Sequence, residues 1–100
     1  PNAIKLLLPS STSKTMSKQS VTVYINKAQN IYVEDRRVDP ANLENVIYSL
    51  IRSEGEASIV LRSDKTVPVQ DVVNVIDAVN EINRKHSTRH KVILATKPPR

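Results

Sequence analysis

Eight consecutive residues constrain this chain more than any others: Leu61-Arg62-Ser63-Asp64-Lys65-Thr66-Val67-Pro68 lead from an apolar run through a charged corner into a proline. Proline fits the opening of a helix, where its missing N–H is not needed, and does not fit a central ladder, so the corner marks a change of backbone type. Beyond it Val69, Val72, Val73, Ile76, Val79 and Ile82 recur every three to four residues. A Val-rich composition favours extended backbone, but length and period outweigh it. The spacing predicts a helix from Pro68, with Asp71, Asn74, Asp77, Asn80 and Glu81 toward solvent. Arg84-Lys85-His86 would place positive charge at its negative end. Before the corner, Ser58 to Leu61 reads as a short strand covered on at least one face.

The rest of the chain supplies partners for that strand and helix. Val21, Val23 and Ile25 alternate with Thr22, Tyr24 and Asn26, the period of a strand with one buried face, and Ile31 and Val33 continue it as a hairpin. Asp39-Pro40 is a helix start, because the Asp carboxylate can accept from free backbone N–H groups. Leu43, Val46, Ile47, Leu50 and Ile51 then follow on one apolar stripe. Gly55, the only glycine, is placed to end that helix with a positive φ. Lys91 to Ala95 forms a last strand, closed by Pro98-Pro99. The order is β-β-α-β-α-β, an α+β fold in two layers: two helices packed on one face of a small mixed sheet, as right-handed crossovers between parallel neighbours require. Residues 1–20 read as an extended leader and flexible tether, 21–96 as the folded domain and 97–100 as a flexible tail.

Charge is segregated accordingly. The chain carries a net charge of +5, and all of it resides in the ends: Lys5, Lys14 and Lys18 before residue 20, Lys97 and Arg100 after the last strand. The folded part is neutral, which weakens a nucleic-acid reading. There is no Phe or Trp, Tyr24, Tyr32 and Tyr48 are only loosely grouped, and no GXXG loop exists for a KH-like clamp. Arg84, Lys85, Arg89 and Lys91 form a basic cluster around one loop, read as a solvated helix end. Without cysteine, disulfide and thiol chemistry are excluded.

An enzymatic reading finds too few convergent groups. Ser10, Ser11 and Ser13 lie in a tether that cannot hold a nucleophile in register with a base. His86 and His90 are four apart but flank Ser87-Thr88 and lack further ligands, so they read as part of a solvated loop and no metal or cofactor is expected. A single glycine cannot build a phosphate loop. Asp64 and Lys65 read as a strand-to-helix corner, Asp64 accepting from the corner backbone or pairing with Arg62.

The corner, Asp77 and the leader together resemble the periplasmic part of the ExbD/TolR biopolymer-transport family. That family shows an apolar strand ending in Arg-Ala-Asp-Lys, a Val-containing link and a helix with a Met-Asp or similar pair; here Arg62-Ser63-Asp64-Lys65, Val67 and Ile76-Asp77 stand in those places. Its leader, an Asn-Leu-Pro-like motif entering a Ser/Thr/Pro-rich linker, is similar to Ile4-Lys5-Leu6-Leu7-Leu8-Pro9 followed by Ser10 to Ser13. Leu7 departs from the commoner Asn and Val69 from the commoner Tyr. Asp64-Lys65-Thr66-Val67 favours the ExbD branch over TolR.

The resemblance implies a non-enzymatic domain of a single-pass inner-membrane protein, its membrane helix preceding Pro1 and carrying the proton-linked Asp. It implies a homodimer working with an ExbB-type motor subunit and a TonB-type periplasmic protein in outer-membrane uptake driven by the proton motive force. The alternatives are a TolR-like envelope-integrity domain touching peptidoglycan and, more distantly, a small nucleic-acid-binding module. Val92, Ile93, Leu94 and Ala95 are the expected edge strand for dimer or partner pairing. Ile4, Leu6, Leu8 and Pro9 are expected to offer a competing strand, so that leader and partner exclude one another. Arg62, Asp64, Lys65, Val67 and Asp77 are expected to shape the corner rather than to react.

Overall fold

The computed structural model describes residues 19–95. Five strands form one mixed sheet in the order β3-β2-β1-β4-β5. They are β1 (Ser20–Ile25), β2 (Ile31–Val33), β3 (Arg36–Val38), β4 (Ser58–Ser63) and β5 (Lys91–Leu94). A 3-10 turn (Pro40–Asn42) leads into helix α1 (Leu43–Ile51), and α2 (Val69–His86) joins β4 to β5. β1 is antiparallel to β2, and β2 to β3. On its other side β1 runs parallel to β4, and β4 parallel to β5.

Parallel neighbours cannot be joined by a hairpin, so each pair needs a crossover, and here each crossover contains a helix: β2, β3 and α1 lie between β1 and β4, and α2 between β4 and β5. Successive crossovers step in one direction along the sheet, from β1 to β4 to β5, which puts both helices on the same face. α1 and α2 accordingly pack against each other. Their buried residues meet Val21, Val23, Ile25, Ile31, Val33, Val38, Ile59 and Leu61 from the strands. The expected two-layer α+β arrangement is observed, with one more strand than the four foreseen. β3 went unseen because two of its three residues are arginines and only Val38 enters the core.

Local chemistry explains most element boundaries. Asp39 Oδ1 accepts from Ala41 N–H at 3.0 Å, capping the turn that Pro40 opens. Of the predicted α1 stripe, Leu43, Ile47 and Ile51 are buried, Val46 is partly buried and Leu50 is exposed. Gly55 does not have a positive φ. α1 ends through the Glu54 N–H to Ile51 C=O bond of 2.9 Å, and a Cβ on Gly55 would meet nothing. The left-handed cap belongs to α2 instead, where Ser87 has φ 53° and donates its N–H to the Asn83 carbonyl.

The α2 helix extends as predicted; of its predicted stripe Val72, Val79 and Ile82 face the core, Val69 does not, and Val75, outside that stripe, does. Val75, Val79 and Ile82 are fully buried, Val72 and Ala78 flank them, and Val69 is 75% exposed. Val69 is the first residue of the helix, and Val75 lies on its buried face.

Candidate functional site

The charged corner joins the C-terminal ends of β4 and β1. Asp64 N–H donates to Ile25 C=O at 3.0 Å, adding a rung beyond β1, and its own carbonyl accepts from Val67 N–H at 3.0 Å. Its carboxylate Oδ1 accepts from Thr66 N–H at 3.0 Å and from Thr66 Oγ1 at 2.8 Å. The Thr66 backbone N–H, then its hydroxyl, hold the Asp64 carboxyl below its ordinary range, with Lys27 and Lys65 adding to the effect. Thr66, rather than Arg62, is therefore the partner of Asp64. Val67 packs against the core while Arg62 and Lys65 are exposed. Asp77 stands exposed in the middle of α2, apart from this hydrogen-bonded turn. These bonds tie the end of β4 to β1 and lead the chain into α2.

The edge strand is positioned by a second set of bonds that the sequence pattern did not reveal. Asn83 Oδ1 accepts from His90 N–H at 2.9 Å and from Thr88 Oγ1 at 2.9 Å, while Asn83 Nδ2 donates to His90 C=O at 2.9 Å. One side chain thus satisfies both backbone groups of the residue that enters β5. His90 is not in a solvated loop, contrary to expectation: it is 5% exposed, and its Nδ1 accepts from Ala57 N–H at 2.9 Å. Nδ1 as acceptor requires the neutral ring to carry its proton on Nε2, which is buried without a partner among the described residues. Burial pushes the His90 pKa down, with His86 adding to that effect and Glu54 opposing it. The flanking bonds Arg89 N–H to Gly55 C=O and Lys91 N–H to Ala57 C=O complete the entry into the sheet.

His86 goes elsewhere. Its ring stacks on Tyr48 with centroids 4.1 Å apart and planes 6° from parallel, tying the end of α2 to α1. Two members of the basic cluster are likewise engaged: Arg84 pairs with Glu81 at 2.7 Å and Lys85 with Glu44 at 2.8 Å. The Arg84 guanidinium holds the Glu81 carboxyl below its ordinary range. No three His, Cys, Asp or Glu side chains converge as metal ligands among the described residues.

β5 is the outer strand of the sheet. Lys91 and Ala95 donate their N–H groups inward, to Ala57 and Leu61. Backbone direction alternates along a strand, so the N–H and C=O groups of Val92 and Leu94 point away from β4. No strand among the described residues lies beyond them. The Val92 side chain packs on the core, whereas Ile93 and Leu94 are 44% and 57% exposed. Ala95 follows as a half-buried residue. Leu94 pairs with Leu61, so β5 and the corner share one end of the sheet. The leader residues Ile4, Leu6, Leu8 and Pro9 lie outside the described residues.

No helix among the described residues is long and apolar enough to cross a membrane. No curated protein matches the sequence. A family model described as biopolymer transport protein ExbD/TolR matches residues 1–98. Members of that family are non-enzymatic accessory subunits of energy-transducing transport complexes, inner-membrane proteins with a periplasmic domain. With nearly its whole length matched, the chain belongs to the ExbD/TolR family.

Proposed function

We propose that this chain is the periplasmic domain of an ExbD-like subunit of a TonB system, driven by the proton motive force and serving outer-membrane uptake. Its task is recognition: it dimerises and takes up an extended segment of a TonB-type protein by β-strand addition along β5. The observation that carries this reading is the outer border of β5, where Val92 and Leu94 turn their backbone groups outward beside the exposed Ile93 and Leu94 side chains. An added strand gains affinity from main-chain hydrogen bonds and selectivity from alternate side chains. The bonds from Asn83 and His90 hold β5 in place from behind, so the border is presented by a preorganised strand and little ordering remains to be done on binding.

The ExbD assignment within the family draws on Asp64-Lys65-Thr66-Val67. The ExbB-type motor subunit would be reached through a membrane segment, not through this domain. Titrating isotope-labelled protein with peptides from a TonB-type periplasmic linker tests the reading. Amide shifts are expected along residues 91–95; shifts confined to the basic loop at 84–90 would overturn it.

A further inference from the structure

The helices cover one face of the sheet, and the other is left bare among the described residues. Register lines up four side chains on that bare face, because Arg37 pairs with Tyr32, Tyr32 with Tyr24, and Tyr24 with Arg62. The result is a row running Arg-Tyr-Tyr-Arg across β3, β2, β1 and β4. The two tyrosine rings meet with centroids 6.4 Å apart, tilted by 35°. Arg37 Nη2 donates to Asn30 Oδ1 at 2.8 Å, which steadies that guanidinium at the end of the row. The Arg62 side chain is exposed and makes no hydrogen bond or ion pair among the described residues. The strand positions of this face hold a third cation, Lys91, and a carboxylate beside them, Glu34 in the β2–β3 turn, is held by the Thr22 N–H at 2.7 Å.

We infer that this face is a docking site for an acidic, extended protein segment that crosses the strands and sets one carboxylate on each arginine. Three inter-strand steps of about 4.8 Å separate Arg37 from Arg62, about 14 Å in all. An extended chain rises about 3.3 Å per residue, so two acidic residues four positions apart span about 13 Å and point to the same side. The residue midway between them also points down, onto Tyr24 and Tyr32, where a proline or small apolar side chain lies flat. Each guanidinium fork matches a carboxylate in two parallel hydrogen bonds, which a lysine cannot do.

Charge selects among occupants. The chain's own N-terminal residues, with Lys14 and Lys18, and a second copy of this same face would both bring like charge against it. The two tyrosines lean on one another rather than standing free as base-stacking platforms, which disfavours a single-stranded nucleic acid. The site does not depend on the β5 border, since it uses side chains of β1 to β4 and that border uses backbone.

The test is fluorescence anisotropy on the full 100-residue chain. The probe is a labelled peptide with two glutamates four residues apart around a central proline. Saturable binding is expected that weakens with added salt. Arg37→Gln or Arg62→Gln should each weaken it about three- to tenfold. Replacing both peptide glutamates by glutamine, or moving them to adjacent positions, should do the same on unaltered protein, which keeps the claim testable if an arginine variant misfolds. Arg62→Glu should regain affinity for a peptide with one glutamate exchanged for lysine. Amide shifts should centre on Tyr24 and Tyr32.

Absence of saturable binding, or indifference to these exchanges, would overturn the inference. Equal competition by phosphatidylglycerol vesicles or polyuridylate would also overturn it, by making the face a general polyanion patch. Shifts on Val92 and Leu94 in place of Tyr24 and Tyr32 would reject this site and leave the edge-strand reading standing.

Discussion

At the scale of single residues, His90 couples the sheet border to pH. Its neutral ring accepts a hydrogen bond from Ala57 while buried, so adding a proton both removes that bond and places charge out of water. The folded-state pKa is lowered relative to the unfolded chain, and therefore the unfolded state binds the proton first as pH falls. This contribution to stability is fully present above the unfolded value of about 6.5 and is lost progressively below it, until the folded form protonates as well. Urea midpoints measured from pH 8 to pH 5 should be flat and then fall, and His90→Gln should remove much of that fall. Asn83→Ala would orphan the backbone N–H and C=O of His90 and is expected to cost about 1–3 kcal/mol in the same titration at pH 7.5. Neither residue announces itself in the sequence. A His in a polar loop and an Asn on a helix have no period, and only the return of the chain from α2 to β5 brings them together. The corner was more legible, because Asp two residues before Thr beside a proline is a local hydrogen-bonding pattern.

Among the elements, those with a strong hydrophobic period were readable and those without one were not. β1, β2, β4, α1, α2 and β5 each carry apolar residues at the spacing of their backbone, whereas β3 offers only Val38 between charged neighbours. Period identifies a helix more surely than the rotation of its face. In α2 nearly every apolar residue is Val or Ile, so two overlapping stripes can be drawn, one through Val69, Val72, Val73, Ile76, Val79 and Ile82 and one through Val72, Val75, Val79 and Ile82. The sheet chooses the second. Val75→Ala should destabilise the domain by about 2 kcal/mol, since it removes two methyl groups from a fully buried site, while Val69→Ala should stay within about 0.5 kcal/mol. Chemical denaturation of the two variants side by side checks this, and equal losses would return the helix to the first stripe. In α1, Ile47→Ala should cost about 2–5 kcal/mol by the same reasoning.

For the whole molecule, the topology decides which backbone groups are left to meet another chain. β1 lies at the centre with neighbours on both sides, so hydrogen-bonding capacity remains only at the borders, β3 and β5. β3 is short and carries Arg36 and Arg37, features that discourage pairing, and β5 carries Ile93 and Leu94. Backbone alternation along β5 separates recognition from folding: Leu94 directs its N–H outward, whereas Ile93 shares the inward parity of Lys91 and Ala95. Proline removes one N–H wherever it is placed. Leu94→Pro should therefore keep the thermal transition close to that of the parent chain while weakening a strand-adding peptide, or self-association measured by sedimentation, by about tenfold. Ile93→Pro should instead lower the transition temperature, because it deletes a rung to β4. If Leu94→Pro leaves both association and peptide affinity unchanged, strand addition along β5 fails as the mode of recognition. Any partner must then be met by side chains, and the bare arginine and tyrosine row becomes the surface to test first.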